Sequence, residues 1–174
     1  MIAFSRSVAS RGRMTRRRGF TLIELLIVVA IIGIIFGIAI VNMINAIQRA
    51  KQKRSMGDMR TLATAVEAYA TDQNYYPAAA GYSLPSGLSL PTSTLGTVLP
   101  LLAPTYLRVV PLVDGWSSFL TYGTSPSRTD FVVRSAGADG ALESSPVWGV
   151  TTNFNADIIL VDSTFVQYPD GAQH

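Results

Sequence analysis

The sequence predicts an α+β fold in which one long N-terminal helix packs on a small antiparallel β-sheet. Residues 25–48 contain no charged side chain, an uninterrupted run of 24 positions. Residues 49–72 then carry apolar side chains at helical spacing among polar ones. Beyond residue 105, short apolar and β-branched runs alternate with turn residues, a pattern that predicts hairpin-connected strands.

The uncharged run is long enough to cross a membrane. As a helix it would extend about 36 Å at roughly 1.5 Å per residue, and a hydrocarbon core is about 30 Å thick. An ordinary secretory signal has a shorter apolar region followed by a small-residue cleavage site, whereas the small residue Gly19 lies in front of this run. We therefore expect the apolar segment to remain in the processed protein.

A single acid, Glu24, lies where the apolar helix begins, just after three arginines and Gly19. A carboxylate at membrane depth costs about 2.5–3.5 kcal/mol on insertion scales, so it requires a partner there. Alternatively, Glu24 lies in the headgroup layer, where the helix dipole favours an acid in the first turn. The residues alone leave both interpretations open.

The ordered stretch GFTLIELLIVV at residues 19–29 resembles the leader junction of type IV pilins and type II secretion pseudopilins. The resemblance implies cleavage between Gly19 and Phe20 by a prepilin peptidase and N-methylation of the new Phe20 amine. It also implies a filament in which Glu24 meets the N-terminal amine of a neighbouring subunit. An ammonium and a carboxylate can neutralise each other where neither is tolerated alone.

Removal of the leader would reverse the sign of the net charge. Residues 1–19 hold six arginines and no acid, so +3 becomes −3, from 8 basic and 11 acidic residues. The high precursor pI therefore does not indicate nucleic-acid binding. The arginines favour a cytoplasmic leader by the positive-inside rule, but basic residues also follow the span closely. Orientation, with the C-terminal domain in the periplasm, depends mainly on the resemblance.

The helix is expected to continue to about residue 72, because no proline occurs between Phe20 and Tyr76. Its second half presents one apolar stripe that we assign to core packing: Met59, Leu62, Val66 and Tyr69. Many members of the resembled family have a proline where this chain has Val41, which leaves helix melting in the filament open.

A loop-rich connector and then a β-region follow the helix. Five prolines between residues 74 and 105 exclude a long regular element, although 95–102 allow a short helical turn. The predicted strands are 107–113, 119–122, 131–134, 158–161 and 165–168. Asp162-Ser163 would turn the last two into a hairpin. The predicted organisation is 1–19 leader, 20–48 membrane or filament-core helix, 49–73 amphipathic helix, 74–105 variable segment and 106–174 β-region.

Two stretches of the β-region extend the resemblance to the major pseudopilin of type II secretion. DGWS at 114–117 is similar to that family's Asp-Pro-Trp-Gly, with Gly115 and Ser117 in place of Pro and Gly. SAGADG at 135–140, followed by NADI at 155–158, is similar to its calcium-binding loop.

The second stretch implies calcium as a cofactor, held by several hard oxygen ligands. The candidate ligands, from side chains or backbone carbonyls, are Ser135, Ala136, Asp139, Leu142, Asn155 and Asp157. Asp139-Gly140 is also a common turn dipeptide, so a purely structural role for Asp139 is an equal alternative. Glu143 is a candidate for the acid that the family often has at the position of Ala156.

The functional hypothesis is a structural subunit of a type II secretion pseudopilus, polymerised from the inner membrane to drive protein export. Its partners would be further copies of itself, other pseudopilins, the prepilin peptidase and an inner-membrane assembly platform, with no nucleic acid. A type IV pilus subunit is the alternative, and a membrane-tethered binding module that never polymerises is a third class. An enzyme is disfavoured, because the chain has no cysteine, a single histidine at 174 and no recognisable catalytic motif.

Overall fold

The computed structural model of this protein describes residues 19–79 and 95–170. Its first element is helix α1, Leu22–Gln73, and the chain divides into two compact units after Val41. In the first unit the large apolar side chains of α1 are all between 45 and 88 % exposed. Within the described residues, α1 is the one helix long and apolar enough to cross a membrane. Among residues 19–41 of this unit, no other side chain buries them.

In the second unit α1 contributes one face to a hydrophobic core. The predicted stripe is confirmed, since Met59, Leu62 and Val66 are fully buried and Tyr69 is 9 % exposed. The helix ends where Asn74 adopts a left-handed conformation, with φ at 63°, and donates its backbone N–H to the Ala70 carbonyl at 2.8 Å. Asn tolerates this conformation at a helix C-terminus better than most residues.

A short helical segment precedes the sheet. It consists of a 3₁₀ turn at Leu95–Thr97 and helix α2 at Leu99–Leu102, which confirms the helical turn predicted between 95 and 102. Leu95 and Leu102 are buried in the core. Residues 80–94 of the predicted variable segment, and all but the last residue of the predicted leader, lie outside the described residues.

Five strands form one sheet. They are β1, Thr121–Thr124, β2, Phe131–Ser135, β3, Gly149–Thr151, β4, Ile158–Val161, and β5, Thr164–Pro169. The spatial order is β1-β2-β4-β5-β3. All neighbours are antiparallel except β3 and β5, which run parallel.

The predicted α+β class is confirmed, but the sheet is mixed rather than purely antiparallel. The exception is β3. Although β3 precedes β4 in the chain, β4 lies between β2 and β5 in the sheet, and β3 pairs with the other edge of β5. The sequence did not indicate β3, since only Val150 and Thr151 in this three-residue strand have strand-favouring side chains.

The predicted strand at 107–113 is wrong. That segment is irregular and contributes only an isolated bridge between Val113 and Phe119. Pro111 lacks a backbone N–H for a ladder, and Val109 is 76 % exposed, so the apolar run does not represent a buried strand. Of the other four predicted strands, 158–161 coincides with β4, and the remaining three correspond to β1, β2 and β5 with ends shifted by one or two residues.

The predicted hairpin between β4 and β5 is present. Asp162 and Ser163 have φ angles of 45° and 63°, as the favoured two-residue hairpin turn requires at both central positions. The Asp162 Oδ1 atom also accepts the backbone N–H of Phe131 at 2.9 Å, which ties the turn to β2.

Candidate functional site

The N-terminal junction begins with an exposed Phe20 and closes into a capping box at Thr21 and Glu24. The Thr21 backbone N–H and hydroxyl both donate to Glu24 Oε2 at 2.9 Å. In return the Glu24 backbone N–H donates to Thr21 Oγ1 at 3.3 Å. This reciprocal pattern satisfies backbone donors that every helix start leaves free.

The capping box is an interaction that we did not predict, although its sequence signature was visible. Thr followed three residues later by Glu, just before an apolar run, is a known helix-start signal. The predicted partner of Glu24, the amine of a neighbouring subunit, would have to compete with Thr21 for the same carboxylate. That intersubunit contact, the cleavage at Gly19 and the methylation of Phe20 remain predictions.

In the second unit, the DGWS stretch forms a tight loop around the buried carboxylate of Asp114. One oxygen, Oδ1, accepts the backbone N–H groups of Trp116 and Ser118, each at 2.9 Å. The other, Oδ2, accepts the Ser135 hydroxyl at 2.6 Å. Asp114 therefore joins this loop to the end of β2, where the SAGADG stretch starts.

The same loop is fastened to helix α1. The Gly115 N–H donates to the Ser55 hydroxyl at 2.8 Å, and the Trp116 indole N–H donates to Gln48 Oε1 at 2.6 Å. A Cβ on Gly115 would lie 2.9 Å from the Cα and carbonyl carbon of Lys51, so this position requires glycine here. Trp116 is thus an anchor between the loop and the helix, as is common for a tryptophan whose indole N–H has a hydrogen-bond partner.

The SAGADG and NADI stretches, which the sequence placed in one loop, do lie against each other. Gly137 has φ at 67°, and a Cβ there would lie 2.6 Å from the Asn155 carbonyl oxygen and 2.7 Å from that of Ala156. The Ala138 N–H donates to the Phe154 carbonyl at 2.9 Å. Ser135 and Ala136 are buried at the end of β2.

The two aspartates of this loop have different environments. Asp157 is fully buried and forms an ion pair with Arg134, whose side chain is only 3 % exposed. Asp139 is exposed, and its Oδ1 accepts the Ala141 N–H at 3.0 Å, which is the local turn expected of an Asp-Gly pair. Burial raises the pKa of the Asp157 carboxyl to about 6, against the opposing effect of Arg134.

Arg134 also reaches the backbone of the loop that precedes β3. Its Nε donates to Asp157 Oδ2 and its Nη2 donates to the Glu143 carbonyl oxygen. The Glu143 N–H donates to the same Asp157 oxygen at 3.2 Å, and its carboxylate accepts the Gln167 side-chain N–H from β5 at 2.9 Å. The remaining Asp157 oxygen, Oδ1, is buried and has no hydrogen-bond partner among the described residues.

These environments do not fit a calcium site made of the predicted ligands. Within residues 19–79 and 95–170, no three acidic or histidine side chains gather where they could hold a metal. A guanidinium already lies on the Asp157 carboxylate, Asp139 closes its own turn, and Asn155 is exposed. Leu142 is half-buried. Calcium binding remains a prediction.

Arg134 is a residue of this site that the sequence prediction misses, since it places Arg134 only at the end of the strand 131–134 and assigns it no partner. A charged residue that follows Phe131, Val132 and Val133 in an apolar strand signals a buried ion pair, since arginine is almost never fully buried without a partner. The sequence does not reveal which acid pairs with it.

Comparisons with known proteins match both units. A family model described as the prokaryotic N-terminal methylation motif matches residues 14–40. A second, described as type II secretion system (T2SS) protein G, matches residues 42–148. No solved structure matches the chain.

Among curated proteins, the chain is 26 % identical to the type II secretion system core protein G of Escherichia coli over 144 residues, covering 78 % of this chain and 94 % of that protein. It is 33 % identical to the core protein G of Pseudomonas aeruginosa over 132 residues, covering 73 % and 89 %. It is also 48 % identical to the type IV major pilin protein PilA of Myxococcus xanthus, but over only 61 residues, 35 % of this chain and 28 % of that pilin. The chain therefore belongs to the type II secretion system protein G family.

Proposed function

We propose that this protein is a structural subunit of a type II secretion pseudopilus, polymerised from the inner membrane to drive protein export. The observation that carries the proposal is the protein G match across residues 42–148, because it covers the part of the chain in which pilins and pseudopilins differ. The work assigned to the subunit is mechanical, and it fits the structural character of the family.

The apolar half of α1 supports a subunit that assembles with other copies over one that stays a monomer. Its large side chains are 45–88 % exposed within their unit, and exposed apolar surface of this extent requires lipid or other protein. We infer that the helix spans the inner membrane before assembly and packs with equivalent helices afterwards. The leader would lie in the cytoplasm and the domain that follows in the periplasm.

Processing would create a second feature needed for assembly, the new N-terminal amine of Phe20. We infer that a prepilin peptidase cuts between Gly19 and Phe20 and that the new Phe20 amine is methylated, in line with the methylation motif matched at residues 14–40. The positive terminus would then meet Glu24 of a neighbouring copy. The other proposed partners are further pseudopilins and the inner-membrane assembly platform.

A type IV pilus subunit is the second candidate, favoured by the 48 % identity to the Myxococcus pilin. That match covers about a third of the chain, whereas the two protein G relatives match about three quarters of it. A surface pilus would serve adhesion, motility or DNA uptake.

A deletion strain distinguishes the two candidates. Secreted proteins in the medium and pili sheared from the cell surface would both be measured, with a strain that carries the intact gene in trans as the control. Loss of secretion with normal pili is the expected result. Loss of pili with normal secretion would instead favour the pilus subunit. Subunit crosslinking in membranes tests the third class, because a tethered binding module would give only monomers.

A further inference from the structure

We propose that Arg134 is the resident cation of the loop between β2 and β4, so that this chain holds the loop closed without calcium. The proposal concerns the folded unit alone and does not depend on the secretion role. It follows from the disagreement between the calcium loop that the sequence resembles and the groups that the structure places there.

The guanidinium of Arg134 contacts the two kinds of oxygen that a calcium ion would use. Its Nε–H donates to the Asp157 carboxylate and its Nη2–H donates to the Glu143 backbone carbonyl. Calcium sites in proteins are built from carboxylates and backbone carbonyls of this kind. One side chain therefore links three points of the chain, residues 134, 143 and 157, and closes the loop from both ends.

The burial of the pair makes this link a fixed part of the fold. The side chains of Arg134 and Asp157 are 3 % and 0 % exposed, so water does not replace either partner in the folded state. Arginine carries a permanent charge on a planar fork, and it remains bound whatever the concentration of ions outside.

The carboxylates of the neighbouring acids, Glu143 and Asp139, already accept hydrogen bonds from other groups. The Glu143 carboxylate accepts the Gln167 side-chain N–H at 2.9 Å, and Asp139 accepts the Ala141 N–H in its own turn. A divalent ion beside Arg134 would place two cations, with three positive charges between them, against one buried carboxylate, and the repulsion between the cations is strong where the local dielectric is low.

The first test uses the full-length wild-type protein purified in detergent micelles. Its melting temperature would be measured in excess EGTA and in millimolar calcium chloride. We expect the same value in both, within roughly 1 °C, and no calcium heat in titration calorimetry. A calcium site filled to about 100 times its Kd would raise the melting temperature by roughly 5–15 °C. A shift of that size, or binding heat, would overturn the proposal.

The second test removes the cation while keeping a hydrogen-bonding side chain. Arg134→Gln should lower the melting temperature by roughly 10 °C, because it leaves the Asp157 carboxylate buried without its charge partner. Arg108→Gln, at an exposed position, is the matched control and should change little. Combining Arg134→Gln with Asp157→Asn should cost clearly less than the two single losses added together. An unchanged melting temperature in Arg134→Gln, or simple additivity, would refute the proposal. If Arg134→Gln does not fold, the wild-type comparison still decides the question.

Discussion

The N-terminal junction and the globular loops are held together in opposite ways. At the junction both hydrogen bonds of the Glu24 carboxylate come from Thr21, three residues away, and Glu24 is exposed. In the globular unit Asp114 and Asp157 are buried, and each has a partner far along the chain: Asp114 accepts the Ser135 hydroxyl and Asp157 pairs with Arg134. A local, exposed arrangement can exchange its partner for one on another molecule, whereas a buried, long-range arrangement fixes the fold of its own chain.

The largest effect that this contrast predicts is at Glu24. Glu24→Ala should leave cleavage at Gly19 largely intact and leave the unfolding of the globular unit unchanged. Filament formation should fall by about 100-fold or more, because a terminal ammonium would enter an apolar environment without its counter-charge. Immunoblots of processed protein and of pelleted filaments measure the two outcomes separately.

Asp170→Ala is the matched control, since Asp170 is an exposed acid whose carboxylate has no hydrogen bond or ion pair among the described residues. It should assemble normally. Normal filaments from Glu24→Ala would show that the junction does not act through charge pairing. The exposed carboxylate would then not serve to bind another molecule.

The next effect tests the long-range side of the comparison. Gly115→Ala should destabilise the globular unit by about 2 kcal/mol, because the added methyl would overlap the backbone of Lys51, which cannot move aside without bending α1. Urea unfolding followed by tryptophan fluorescence measures this change in the free energy of unfolding.

Gly57→Ala is the control with the opposite sign. Gly57 lies in α1 with nothing within 4 Å of its added Cβ, so alanine there should stabilise by up to about 1 kcal/mol. Equal effects from both substitutions would mean that the contact between loop and helix contributes nothing.

What the sequence could predict follows the same division. The junction was recognised because its signals are adjacent: the arginines, Gly19, Phe20 and Glu24 stand in one short stretch. The apolar stripe of α1 was predictable because helical periodicity fixes which side chains share a face. Even the Thr21 capping box, which was missed, had a local signature.

The globular loops were predictable only in part. Two separate stretches, SAGADG and NADI, were correctly placed together through the resemblance. The ion pair within them was not predicted, because Arg134 and Asp157 are 23 residues apart and no local pattern encodes which buried acid an arginine meets. The parallel pairing of β3 with β5 was missed for the same reason, since it depends on β4 taking the position beside β2.

The smallest expected effect distinguishes helix capping by Thr21 from the proposed pairing of Glu24 with a neighbouring subunit. Thr21→Ala keeps the Glu24 carboxylate but removes the hydroxyl that donates to it and accepts the Glu24 N–H. Loss of a helix cap costs about 1 kcal/mol, so filament yield should change by no more than about tenfold, and Thr21→Ser, which keeps the hydroxyl, should behave as wild type. Pelleted filaments compared with the Glu24→Ala strain give the measurement. A Thr21→Ala defect as deep as that of Glu24→Ala would place the essential interaction inside the capping box, because then the carboxylate alone would not be enough to bind a neighbouring subunit.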